Sequence, residues 1–592
     1  MTSHFALFKE SADNLAVSLP QDTQATDQNV QDPVVSAVTI EIDEIRRGAR
    51  ILRLLSKDLS LFKQNADIWL EKTGECDFWS RPLVEFTFES LEKIPGLQSC
   101  SVDDNSLFAL SREIFQLSSR QVQLNPSLTF TQFMSSMSYR WEIIGLAFAS
   151  VGMGVALPGD SDSTVQTDYR PARSRKELGE LALSATETCL AFCNEAGVLN
   201  DVVSWLNSKR TTLTTLIYGD KDYRSWRALG DLSTIVFSLG FNQPLPDPDT
   251  PFWLSETRKR LMGHAFSTDK QLATFLGRPP RISWRFCNIS LPLDLEFKDI
   301  IAEPEVRDLA ISKLDSDGWN KIENNKQAVW LRVSLIMGPV RESVLELSLN
   351  HQVEDLPARV KELLQQSELT WASLPSFLHR RHDPEAPSAA ELLTCEHSVY
   401  LQLHLDYMYN KFMLHRILSK RLDIWSPDLV KVSQEILEDV LLLIDTRVRS
   451  MKLTPELSWV ISFFGLSSAG VLSIELVRRA SHLNIDDSSV AVTTPFPRSR
   501  VIQALSNFAS YLQTIVQPHE GNYDICQQAR ETIGHVLDFV LTDVPKPEVS
   551  TAKPHSPTNA EFPDAIGILD YNYYITHLDN WQFELQDTLQ MF

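Results

Sequence analysis

FSTDKQLATFLGRPPRI, residues 266–282, decides how the chain is read. At 100° per residue, a helix over 254–276 gathers Leu261, Ala265, Leu272 and Leu276 into one narrow apolar arc. Gly277 suits the left-handed position after such a helix, and Pro279 stops it sharply. Asp269 falls inside the apolar arc, and Lys270 projects well away from it. Adjacent residues on a helix do not face each other, so the spacing gives no Asp269–Lys270 catalytic dyad. A carboxylate on an apolar stripe needs a partner, because burying an unpaired charge is costly. The expectation is that Asp269 bonds an arginine or a helix end across the core. Arg258 shares its face but lies about 16 Å up the axis, too far to pair directly.

The same helical period extends in both directions. Ile45, Leu52, Leu55, Leu59 and Phe62 form one helix face, and Arg46, Arg50, Arg53 and Lys57 another. The basic face could touch phosphates, but Glu41, Asp43, Glu44 and Asp58 dilute it, and a solvated face is the plainer reading. Asp222 can cap a helix that runs through Trp226, Leu229, Ser233 and Val236 to Gly240, with Phe241 packing back as in a Schellman ending. Segments 397–421, 428–452 and 456–480 are long and amphipathic. Strand-like alternation is rare. The fold class predicted is all-α, a large domain of layered antiparallel helices over 40–545.

The ends read differently. Residues 11–39 are poor in large apolar groups, so 1–39 is expected to be a disordered arm. Polar breaks fall at 157–174 and 379–391. Residues 543–564 are rich in Pro, Ser and Thr, and 546–592 is expected to be a flexible linker plus an acidic-aromatic tail. From 564 onward there is no Lys or Arg, while acidic residues alternate with Tyr571, Tyr573, Trp581 and Phe583. That pattern suits an activation segment offered to a partner's groove, or a strap docked on the helical core.

Composition narrows the function classes. The 592 residues include 55 basic and 77 acidic side chains, a formal net charge of −22. That balance repels a phosphate backbone unless a local basic patch overrides it. Seven scattered cysteines argue against a disulfide framework, and no apolar leader follows a basic start. The apolar run 143–159 falls short of a membrane span. A soluble intracellular protein is expected.

Candidate chemistry is sparse. Cys189 and Cys193 are the one close cysteine pair, and a structural zinc site needs four ligands, so small buried thiols are the better reading. No nucleophile elbow or phosphate-binding glycine loop is present. His379 and Asp383 have an acyltransferase-like spacing but sit in a polar, Pro-rich loop. Asp103–Asp104 and Asp486–Asp487 lack the third carboxylate that a Mg²⁺-binding helix would supply. No catalytic residue, metal ligand or cofactor is assigned, and a non-enzyme is expected.

Several segments together are more informative than any one. SWRALGDLSTIVFSLGFN (225–242), Glu256-Thr257-Arg258-Lys259-Arg260-Leu261, DKQLATFLGRPPRI (269–282) and ISLPLDL (289–295) occur in order, preceded by YRWEIIGLAFASVGMG (139–154) and followed by LHLDYMYNKFMLHRIL (403–418). This set resembles the middle homology region of fungal zinc-cluster transcription factors, with the resemblance strongest over 80–480. Trp226, Gly230, Glu256, Arg258, Asp269, Gly277, Arg278 and Pro279 stand at its motif positions. Met262 and Gly263 stand where the family often has a Trp pair. Residues 1–75 hold no cysteine, whereas the family usually begins with a six-cysteine cluster binding two zinc ions.

The resemblance implies an all-helical regulatory domain without catalytic residues, acting in the nucleus on a metabolic or secondary-metabolite gene set. It implies a DNA-binding partner or other transcription proteins in place of direct DNA contact by this chain, with a homodimer and a small-molecule effector also allowed, and no membrane. The alternatives are a ligand-sensing or interaction module without promoter contact and, third, an all-α enzyme.

Overall fold

The computed structural model describes residues 40–73, 81–94, 97, 102–156, 174–244, 248–321, 326–382, 395–449, 455–483 and 496–542. The expected N-terminal arm, the linker and the acidic-aromatic tail lie outside those residues, as do most of the two polar breaks. Among the described residues every regular element is helical. In chain order they are α1 (Ile42–Thr73), α2 (Arg81–Glu92), α3 (Asp104–Ser118), α4 (Phe130–Met137), α5 (Trp141–Val155), α6 (Arg175–Glu195) and α7 (Asp201–Tyr218). Then come α8 (Tyr223–Ser238), α9 (Phe252–Leu276), α10 (Phe297–Ile300), α11 (Pro304–Ser312), α12 (Lys326–Leu349), α13 (Leu356–Ala372) and α14 (Cys395–Leu422). The series ends with α15 (Pro427–Arg449), α16 (Pro455–Val460), α17 (Leu466–Leu483), α18 (Arg498–Thr514) and α19 (Tyr523–Leu541).

Two large apolar cores organise this unit. The first gathers α1–α7 around α5, all fifteen of whose residues are buried. Trp141 at the head of α5 packs on Phe115 and Phe192, with ring centroids 5.1 and 4.8 Å away. The second core is built from α14–α19 together with Val329, Val333 and Met337 of α12 and Trp371 of α13. Helix α9 bridges the two. Trp253, Leu254 and Leu261 belong to the first core, Met262, Ala265 and Phe266 to a small cluster with Leu232 and Val236 of α8, and Phe275 and Leu276 to the second core.

Local sequence explains most boundaries. Asp222 accepts the Arg224 amide at the start of α8, and Gly240 (φ 72°) ends it with the Phe241 amide returned to the Val236 carbonyl. Thr129 and Ser174 form capping boxes with Gln132 and Glu177. Two members of the basic face of α1 are paired, Arg46 with Asp43 and Arg53 with Asp104.

Two features were not anticipated from the sequence. Helix α7 is buried from Asp201 to Thr211 although Ser, Asn, Lys, Arg and Thr crowd it. Its hydroxyls and amides bond their own helix, as Thr211 does to the Asn207 carbonyl and Thr214 to the Arg210 carbonyl, so a polar sequence can sit inside. Second, Leu457–Ala480 is long and apolar enough to cross a bilayer, with mean hydropathy 1.8. That stretch runs through α16, a π-helical turn at Ile461–Gly465 and α17, and 83% of its apolar window is buried by other helices. Packing inside a helical core accounts for its apolar composition.

Candidate functional site

The stretch 266–282 is the centre of a polar clamp. Gly277 adopts φ 60°, ψ 37°, where a side chain would be strained, and the Arg278 amide returns to the Ala273 carbonyl. This turn sends residues 278–283 back along α9. Asp269, fully buried, receives them: one carboxylate oxygen accepts the Arg281 amide at 2.8 Å and the other the Ile282 amide at 3.0 Å. Burial pushes the Asp269 carboxyl up, and Lys270 and the two amides hold it down.

Lys270 corrects the helical-wheel reading. Its ammonium lies 2.9 Å from Asp269 and 2.8 Å from Glu342 of α12, and it donates to the Ile282 carbonyl above the Phe266 ring. A wheel fixes only the Cα–Cβ direction, whereas four methylenes can curl round the axis. Glu342 in turn accepts the Ser283 hydroxyl at 2.5 Å and the Trp284 amide at 3.0 Å. Asp269 therefore has a partner, but the partner is the peptide backbone just after its own helix together with Lys270. Neither an arginine side chain nor a helix end across the core fills that role.

The other motif residues hold neighbouring segments in the same manner. Buried Glu256 bonds Lys259 at 2.6 Å and the Leu293 amide at 2.8 Å. Arg260 donates to the Leu295 carbonyl, and Arg332 of α12 to the Pro292 carbonyl at 2.5 Å. ISLPLDL is thus strapped to α9 and α12. Asp294 in that strap, pushed up to about 6 by burial, accepts the Asn320 amide at 3.0 Å. Arg258 makes a two-pronged pair with Asp201 at 2.7 and 3.0 Å, which fixes the start of α7.

Trp226 lies under two cations, with Arg281 4.4 Å and Arg278 5.4 Å from its ring centroid. Gly230, one turn along α8, leaves space for Arg281: a Cβ there would stand 3.2 Å from the guanidinium carbon. Pro279 is exposed on the outside of the turn. The structure thus brings Trp226, Gly230, Asp269, Gly277, Arg278 and Pro279 to one place. Glu256 and Arg258 lie further up α9. Sequence reasoning missed Glu342, Asp294 and Arg332, because each acts on a segment remote in sequence and no spacing marks them.

The remaining candidates have ordinary structural places. Cys189 and Cys193 are buried and burial pushes both thiols up, which suppresses the reactive thiolate. Asp103 caps α3 and Asp104 pairs with Arg53. His379 lies 3.2 Å from the Leu374 carbonyl and edge-on to Trp371. Asp383, Asp486, Asp487 and the tail residues Tyr571, Tyr573, Trp581 and Phe583 fall outside the described residues. Among the described residues, no cluster of three or more His, Cys, Asp or Glu could hold a metal ion.

What the clamp does chemically follows from its saturation. Both oxygens of Asp269 and both of Glu342 accept hydrogen bonds, and Lys270 lies between them. These groups position backbone, and the arrangement is that of an all-helical domain braced by buried ion pairs. Residues 214–327, from the last turns of α7 to the first residues of α12, match the family model for the fungal specific transcription factor domain. The chain carries that domain, and the domain supports a fungal transcription regulator. The match is narrower than the 80–480 span drawn from the sequence, and it contains every motif residue named above. No curated protein and no solved structure matches the chain.

Proposed function

We propose that this chain regulates a metabolic or secondary-metabolite gene set in the nucleus through its helical domain, with a separate partner supplying promoter contact. The observation carrying this reading is the domain match over 214–327, whose central polar residues bond backbone. The net charge of −22 supports a partner in the DNA-binding role, since affinity for duplex rests largely on neutralising phosphates. A regulator of this kind is not an enzyme.

The test pairs two measurements. Chromatin immunoprecipitation of the chain from its own cells should recover a discrete set of promoters. The purified chain should leave short duplexes of those promoters unshifted at physiological salt. A sequence-specific shift by the purified chain would overturn the need for a partner, and recovery of no promoter would overturn the regulatory role.

A further inference from the structure

A pocket lies where the last turn of α5, the first turns of α6, the end of α7 and the turn ahead of α19 meet. Its apolar lining includes Val155 of α5 and Leu216 and Ile217 of α7. Arg175 and Lys176 of α6, with His519 and Glu520 ahead of α19, supply its charge. The interior has room for about one or two water-sized atoms and is partly open to solvent, so an occupant is small. Arg175 and Lys176 stand in the first turn of α6, at the positive end of the helix dipole, where acidic side chains are the stabilising ones. Glu177 in the same turn is held in the capping box with Ser174. Arg175 is half-buried, and burial depresses its guanidinium. Neither Arg175 nor Lys176 has an ion pair among the described residues. His519 Nε2 is buried and has no hydrogen-bond partner there, and burial and Arg175 lower its imidazole. A neutral imidazole with its proton on that nitrogen is a donor in need of an acceptor.

We infer that this pocket binds a short-chain monocarboxylate, of which acetate and propionate are the simplest members. Arg175, Lys176 and the His519 Nε2–H hold its carboxylate, and its alkyl end lies against Val155, Leu216 and Ile217. The planar fork of a guanidinium matches a carboxylate. An inorganic anion would satisfy the cations but gain nothing from the apolar lining. Glu520 is the one carboxyl among the lining groups. Burial raises it to about 7, while a bond to Ser458 and the Gln517 amide at 3.1 Å hold it down. Protonated, it no longer repels an anion. The inference goes beyond the regulatory reading and does not depend on it, because binding is measured on the purified chain.

Saturation-transfer NMR on the purified full chain, titrated with acetate or with propionate, tests it. Propionate should bind saturably and about fourfold more tightly than acetate, for one more buried methylene. Arg175→Gln should weaken both acids about tenfold or more. Gly179→Ala decides the matter if the arginine variant unfolds. Its Cβ would stand 3.6 Å from Ile217, in ordinary contact, and Ala is favoured over Gly within a helix, so the fold is kept. That methyl narrows the apolar end of the pocket and should weaken propionate more than acetate. Binding should also tighten as pH falls from about 8 to about 6, because Glu520 then loses its charge. Over that range Arg175 and Lys176 stay charged, burial keeps the Cys526 thiol beside Glu520 neutral, and His519 can only gain positive charge. Absence of saturable binding by either acid overturns the proposal, as does affinity unchanged in both variants. Displacement of propionate by chloride at equal concentration would mark a general anion site and overturn the carboxylate assignment.

Discussion

Asp269 and Lys270 mark how far a single residue can be read from sequence. That Asp269 sits on the apolar stripe follows from periodicity, and so does its need for a partner. The partner does not follow, because it consists of two amides that reach the carboxylate only after the Gly277 turn folds the chain back. Lys270 is misplaced by a wheel for the reason given by its length. Asp269→Ala should destabilise the protein by about 3 kcal/mol, the lower end for breaking a buried ion pair, because Lys270 keeps Glu342. Asp269→Asn should cost less, since its amide oxygen still accepts one of the two peptide amides. Denaturant unfolding of both variants measures this. Unchanged stability with lost regulatory activity would return Asp269 to a functional role.

At the scale of elements, starts and stops were the most legible features. The helix expected over 254–276 is α9 (Phe252–Leu276), and the Asp222 cap and Gly240–Phe241 ending occur where the sequence places them. Helix α7 was illegible, because its hydroxyls bond their own backbone, its charged groups Asp201 and Arg210 pair with Arg258 and Asp231, and an amphipathic period never forms. The joint between helix ends was illegible too. Gly219 (φ 90°), between α7 and α8, meets Gly521 ahead of α19 backbone to backbone, and the Gly521 amide donates to the Leu216 carbonyl at 2.9 Å. A Cβ on Gly521 would fall 1.9 Å from the Gly219 nitrogen. Gly521→Ala should therefore cost about 3 kcal/mol or more. Gly534→Ala, in α19 where a Cβ meets nothing within 4 Å, should stabilise by about 0.5–1 kcal/mol. Equal effects of the two substitutions on the thermal midpoint would count against the joint as described.

For the whole molecule, the class of fold was legible from helical periodicity and the scarcity of alternation, whereas the bridging of two cores by α9 was not. One consequence is dependence on pH. Asp220, at the same joint, is 4% exposed, and its oxygen accepts the Asn522 amide at 2.7 Å. Burial raises its carboxyl to about 6 from an ordinary 3.8. A carboxyl raised on folding contributes stability that is full below its unfolded value and is lost as pH rises through its folded value. The loss is roughly 3 kcal/mol across the window from about 4 to about 6. Asp220→Asn should abolish that component, so the variant should gain on the wild type between pH 5 and pH 8 in denaturant midpoints. An identical pH profile would argue that Asp220 is already neutral-like or solvated. His264 works in the opposite direction: burial lowers it to about 4, so its contribution is lost as pH falls through that value.

The partners at the Gly219–Gly521 joint are separated by 302 residues along the chain. A ribosome working at about 5–20 residues per second needs about 15–60 s to make that interval. For that time the corner between α7 and α8 waits without its mate, with Asp220 in water and charged. The first core can assemble on its own helices meanwhile, but this joint closes only when Asn522 emerges. Newly made chains thus pass through a stage that is helical and half-cored yet unsealed, and whatever shields nascent protein must cover this corner until then.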